Sequence, residues 1–132
     1  MDTANPTPSI TPAQLAELLG RDDAPLLLDV RRKAAFESSD AMLAGARYCA
    51  PEGVAALAAS QPPRTVVTYC VYGHGVGAQA AAKLRAAGWD ARWLEGGLEG
   101  GEDGVDAPQD IARWRATPLP RVRRNNAPGP SE

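Results

Sequence analysis

The residue best suited to covalent chemistry is Cys70, because of what surrounds it. Thr65–Gly77 reads T-V-V-T-Y-C-V-Y-G-H-G-V-G. Val66, Val67 and Tyr69 form a short apolar, β-prone run, the pattern of a buried strand that Cys70 terminates. Gly73, Gly75 and Gly77 follow at alternate positions, and the Ala-rich stretch 78–87 behind them has high helix propensity. Glycines let the chain curl so that successive backbone N–H groups converge on an anion. The helix start adds the positive end of its dipole. A thiol seated there is expected to ionise more readily than an ordinary cysteine, whose value is about 8.5. The pattern is that of a nucleophile, although a cysteine at a strand end can equally be inert packing.

Other groups could assist. Asp29 ends the apolar run Leu26-Leu27-Leu28-Asp29-Val30, and Arg31 stands two places on. Their place at the end of a buried strand predicts a charge-assisted pair that pins adjoining loops, ahead of two solvated loop charges and of a direct catalytic role. His74, the only histidine, lies inside the glycine loop. Protonated, it would supply positive charge near a bound anion; otherwise it points to solvent or caps a carbonyl. Tyr72 reads as a pocket wall, since a phenol near pKa 10 stays neutral at ordinary pH. Cys49, between Tyr48 and Ala50 with no glycine nearby, reads as core packing.

These side chains need a scaffold, and the chain is long enough to build one. Its 132 residues, 44% hydrophobic and 23% charged, suit one globular domain with its own core. A net charge of −2 gives no basic footprint for nucleic acid. Residues 1–8 read as a loose arm, neither signal peptide nor membrane anchor. Two cysteines at unrelated spacing and one histidine suggest neither a disulfide framework nor a metal cage, and a reducing cytoplasm is the expected setting.

Thr11, Pro12 and Gln14 open a helix as cap, first residue and capping-box partner, with Leu15, Leu18 and Leu19 on its apolar face and Gly20 at its end. Short helices are expected over residues 32–38, 52–59 and 108–114, and the longest over 76–87, stopped by Gly88. Strands are expected at 26–30, 47–49, 65–69 and 91–94. Glu95–Gly101 is a glycine-rich turn. It lacks the spacing of a nucleotide loop. From residue 117 the prolines and arginines read as a disordered tail, leaving 9–116 as the domain. Alternating strands and helices predict an α/β fold with a mostly parallel sheet, whose ligands bind beyond the carboxyl ends of the strands.

In order along the chain, L-L-L-D-V-R (26–31), L-A-G-A (43–46), V-V-T-Y-C-V-Y-G (66–73), L-R-A-A-G-W (84–89) and L-E-G-G-L (94–98) resemble the landmarks of a single-domain rhodanese. The resemblance implies a five-stranded, mainly parallel sheet with helices on both faces, and sulfur transfer as the activity. It places the catalytic cysteine at Cys70, the active loop at Cys70, Val71, Tyr72, Gly73, His74 and Gly75, and structural support at Asp29 and Arg31. It also implies that Cys49 sits on a strand separated from that of Cys70. The partners it implies are a small sulfur donor such as thiosulfate and a thiol or cyanide acceptor, with no metal or organic cofactor. Three features depart from the pattern. Val71 and Gly75 stand where many thiosulfate-using members carry basic or hydroxyl side chains, Met42 replaces a frequent histidine, and Gly101 replaces a frequent tryptophan. Two alternatives stay open. One is a binding or redox-sensing module with little turnover. The other is a cysteine phosphatase, which would need an arginine at Val76.

Overall fold

The computed structural model describes residues 8–72, 75–117 and 119–123. Five parallel strands form one sheet: β1 (Ser9–Ile10), β2 (Leu26–Asp29), β4 (Arg47–Tyr48), β5 (Thr65–Tyr69) and β6 (Asp90–Leu94), in the order β1-β6-β5-β2-β4. Parallel neighbours need crossovers, and helices supply most of them: α1 (Pro12–Leu19), α2 (Lys33–Ser38), α3 (Val54–Ser60) and α4 (Val76–Ala86). α5 (Pro108–Arg115) follows β6. A second, two-stranded sheet pairs β3 (Ala41–Leu43) with β7 (Arg121–Arg123) in antiparallel fashion.

Local signals fix several boundaries. Thr11 Oγ1 accepts from the Gln14 amide, the Gln14 side chain accepts from the Thr11 amide, and Pro12 takes the first turn of α1. The longest helix ends at Ala86, with Gly88 beyond it at φ +95°.

The alternation along each strand divides the core in two. Leu27, Val67, Tyr69 and Leu94 face one side of the sheet, where Leu15 of α1 meets them with Leu43 and Leu98. Leu28, Val66 and Ala91 face the other, against Val54 and Ala58 of α3 and Ala80, Ala81 and Leu84 of α4. Small residues on α4 let it lie close to the sheet. Ala87, the last residue of the helix expected over 76–87, lies just past its end and is exposed.

The C-terminal stretch corrects an expectation. Residues from 117 onward were expected to form a disordered tail, yet Arg121–Arg123 is a strand, with Val122 opposite Met42 in register. Leu119 and Val122 pack on the core, which offsets the entropy of ordering so polar a segment. The N-terminal arm is likewise anchored at its last residue, where the Pro8 carbonyl accepts from the Trp93 amide at 3.2 Å. Residues 1–7, 118 and 124–132 of the expected arm and tail lie outside the described residues. No helix among the described residues is long and apolar enough to cross a membrane.

Candidate active site

The strand order reverses direction between β2 and β5. From β2 the chain moves outward to β4, then crosses back to β5 and on to β6. In open α/β sheets that switch opens a crevice beyond the strands' carboxyl ends. Here it is a cavity of about 180 Å³ lined by Arg31, Arg32 and Ala35 from the β2–α2 side and by Cys70, Val71, Tyr72 and Val76 from the β5–α4 side. Asp29 and Cys70, distant in sequence, thus end neighbouring strands, and Arg31 shares a cavity with Cys70.

Cys70 follows the central strand and is 6% exposed, a sulfur at the foot of a pocket rather than on the surface. Its Sγ lies 3.7 Å from where a side chain on Gly77 would begin, so it rests against the first turn of α4. Gly75 precedes that helix with φ +137°, a conformation closed to most other residues. Beneath the turn, the Thr68 hydroxyl donates to the Gly77 carbonyl at 2.7 Å and fixes where α4 begins. Gly73 and His74 of the expected loop lie outside the described residues. Cys49 and Cys70 form no disulfide. They follow β4 and β5, and β2 runs between those strands.

Asp29 and Arg31 form a buried pair, 0% and 1% exposed. Arg31 Nη2 donates to Asp29 Oδ2 at 2.6 Å and Nε to both carboxylate oxygens at 3.0 Å, while the Arg31 amide donates to Oδ1 at 3.1 Å. Tyr69 completes the set. Its hydroxyl donates to Asp29 Oδ2 and accepts from the Leu43 amide, each at 3.1 Å. Burial, then the neighbouring Asp29 carboxylate, pushes the Tyr69 phenol far above its ordinary value, so it remains a neutral donor. Arg31 Nη2 also donates to the Ala41 carbonyl at 2.9 Å, and its guanidinium lies over the Phe36 ring, which stacks on Tyr48. One ion pair therefore ties β2, β3 and β5 together beside the sulfur.

The sequence did not reveal what holds Cys70 from behind. The Leu98 amide donates to the Cys70 carbonyl at 2.8 Å and the Glu99 amide to the Val71 carbonyl at 2.9 Å. This close approach needs glycine at position 97, where φ is +62° and a Cβ would fall 2.5 Å from the Cys70 oxygen. The available signal is the paired Gly96-Gly97 after β6, whose pattern by itself predicts a turn and no contact with residue 70.

Cys49 is half-buried against the α3–α4 side of the core. Burial, then the Glu52 carboxylate, raises its thiol above the ordinary value. The anion is disfavoured in the folded state, so the stabilising contribution is complete below the unfolded-chain value and is lost as pH rises through the folded one. Urea midpoints of the wild type and Cys49→Ala, compared between about pH 7 and about pH 10, should show the wild type losing stability relative to the variant as pH climbs. A difference independent of pH would contradict this.

Residues 11–103 match the rhodanese-like domain family. Together with the all-parallel sheet and the cysteine beyond its central strand, this match shows that the chain belongs to the rhodanese-like domain family. Among solved structures it is similar to a rhodanese homologue from the extreme thermophile Thermus thermophilus, with 28% identity, 69% of this chain and 96% of that one covered, and a TM-score of 0.56. A protein from Anabaena sp. shows 26% identity over 86% of this chain and 80% of that one, with a TM-score of 0.63. A thiosulfate sulfurtransferase from Pseudomonas aeruginosa shares the fold, with a TM-score of 0.61 at 21% identity over 92% of this chain but 20% of that one. No curated protein matches.

Proposed function

We propose that the chain is a sulfurtransferase that carries a sulfane sulfur as a persulfide on Cys70. The observation that supports this best is the seat of the Cys70 sulfur, at the foot of a cavity at the sheet's switch point and against the first turn of α4. In the first step the Cys70 thiolate attacks the outer sulfur of thiosulfate. The new S–S bond forms as the donor's S–S bond breaks, and sulfite leaves with the electron pair. In the second, cyanide or a thiolate attacks the terminal sulfur of the persulfide, leaves with it as thiocyanate or a new persulfide, and returns the Cys70 thiolate. Backbone amides of the loop and of the α4 N-terminus stabilise the sulfur anion in both steps. Asp29 and Arg31 support the site; their charges are spent on each other and on neighbouring backbone.

Thiocyanate release from thiosulfate and cyanide, with a generic aryl phosphate as control, tests the reaction class. Sulfur turnover without phosphate turnover is expected. Oxidation of Cys70 by peroxide with no turnover of any sulfur donor would instead indicate a redox sensor. The feature that favours this second reading is the lack of basic side chains at Val71 and Gly75, where a dianionic donor would be gripped.

The cavity also sets an expectation for affinity. Val71 lines it where a cation would meet a dianionic donor. A charge-assisted contact contributes about 1.5–3 kcal/mol, so Val71→Arg should lower the Michaelis constant for thiosulfate about ten- to a hundred-fold. Gly75→Arg is a poorer test, because its positive φ adds strain. An unchanged constant in Val71→Arg would show that a cation at this position does not grip the donor.

A further inference from the structure

The glycine turn after β6 has two working faces. Its amides hold the active loop: Leu98 N–H to the Cys70 carbonyl and Glu99 N–H to the Val71 carbonyl. Its carbonyls face the C-terminal segment, which lies past the end of the family match at residue 103. Arg121 Nη2 donates to the Leu98 carbonyl, and Arg115 donates through Nε to Glu99 O and through Nη2 to Gly101 O, each at 3.3 Å.

Peptide planarity connects the two faces. The Leu98 carbonyl and the Glu99 N–H belong to one rigid, trans unit and point in opposite directions. The unit gripped by Arg121 on one side is therefore the unit that holds Val71 on the other. The same rule then applies within the active loop. With the carbonyls of Cys70 and Val71 fixed toward the turn, the amides of Val71 and Tyr72, which share those peptide planes, are directed the opposite way. Arg121 is itself placed by secondary structure, opposite Leu43 in the β3–β7 ladder, and Leu43 N–H donates to the Tyr69 hydroxyl of the Asp29–Arg31 pair. A cavity of about 190 Å³ between the turn and this segment leaves room for the turn to relax if the grip is lost.

We propose that Arg121 is a positioning residue for Cys70: through the Leu98–Glu99 peptide it fixes the Val71 carbonyl and so aims the first amides of the active loop. The catalytic part rests on the sulfurtransferase reading above; the mechanical part does not. The substitutions are Arg121→Met, which keeps the stem and removes the donors, and Arg121→Lys, which restores a donor. Val122→Ala is the control, since it weakens the packing of the same strand without touching the turn. In Arg121→Met the loss of one charge-assisted contact should lower kcat for thiosulfate cyanolysis about tenfold, with KM changed less than about threefold. Arg121→Lys should recover most of that loss. Val122→Ala should lower the urea midpoint at least as much as Arg121→Met and leave kcat within about twofold of wild type. Hydrogen exchange reads the mechanical part directly: the Glu99 amide should exchange about tenfold faster in Arg121→Met while the Val66 amide of β5 is unchanged. Unchanged Glu99 exchange would overturn the proposal whatever the turnover. Faster exchange with wild-type kcat would overturn the positioning role. If the wild-type protein transfers no sulfur, the sulfurtransferase reading fails, and Glu99 exchange alone decides whether Arg121 grips the loop.

Discussion

Cys70→Ser is expected to reduce sulfur transfer to background, a loss of about 10⁴-fold or more, as removal of a covalent nucleophile does elsewhere. A serine hydroxyl has neither the nucleophilicity nor the ability to carry a sulfane sulfur. The fold should survive. The substitution changes one atom at the foot of a cavity, and the backbone contacts there, from the Leu98 amide to the Cys70 carbonyl and from the Glu99 amide to the Val71 carbonyl, do not depend on the side chain. The urea midpoint should therefore move by no more than about 1 kcal/mol in stability. Thiocyanate release and equilibrium unfolding, measured on the same preparation, separate the two effects. Residual turnover within about tenfold of wild type would show that another group accepts the sulfur.

The largest effect on stability is expected at the buried ion pair. Arg31→Met leaves the Asp29 carboxylate, 0% exposed, with the Tyr69 hydroxyl and the residue 31 amide but no countercharge. Breaking a buried pair in this way costs about 3–5 kcal/mol. A domain of this size has about 5–15 kcal/mol in total, so the variant should be marginal or unfolded. The Ala41 carbonyl loses its shorter contact at the same time, keeping the Ser39 hydroxyl at 3.4 Å. A second substitution distinguishes pairing from packing. Because two matched apolar side chains leave no stranded charge, Asp29→Leu/Arg31→Met should recover a large part of the loss. Urea denaturation of the single and double variants is the measurement. A single variant that loses less than about 1 kcal/mol would mean the pair is a passenger of the fold.

What could be read from the sequence was what local chemistry dictates. The Thr11 capping box, Pro12 at the first turn, Gly88 after the long helix and the apolar runs at 26–30 and 65–69 each carry their own physical reason; each lies where expected, except that the first strand ends one residue early, at Asp29. Elements defined by a distant partner were not legible. Ser9–Ile10 is a strand because β6 pairs with it, although its sequence reads as the approach to a helix. Arg121–Arg123 reads as a solvated tail because two of its three residues are arginines, and only pairing with β3 and packing of Val122 make it a strand. The site divides the same way. Cys70, the glycines that follow it in sequence and the Asp29–Arg31 pair are local patterns. Tyr69 as third member of that pair, and the glycine turn as the rear support of Cys70, depend on which strands lie side by side. Nothing in the order of residues 94–101 says that the carbonyl of residue 70 will accept a hydrogen bond from the Leu98 amide.

The central claim is that one sulfur atom resides on Cys70 between donor and acceptor. Peptide mass spectrometry after brief exposure to thiosulfate tests it most directly, without dependence on turnover rate. The account predicts that the peptide containing Cys70 gains the mass of one sulfur atom, that cyanide removes it with an equal amount of thiocyanate released, and that Cys70→Ser shows no gain. A Cys70 peptide that stays unmodified, or a gain found on Cys49 instead, would contradict it.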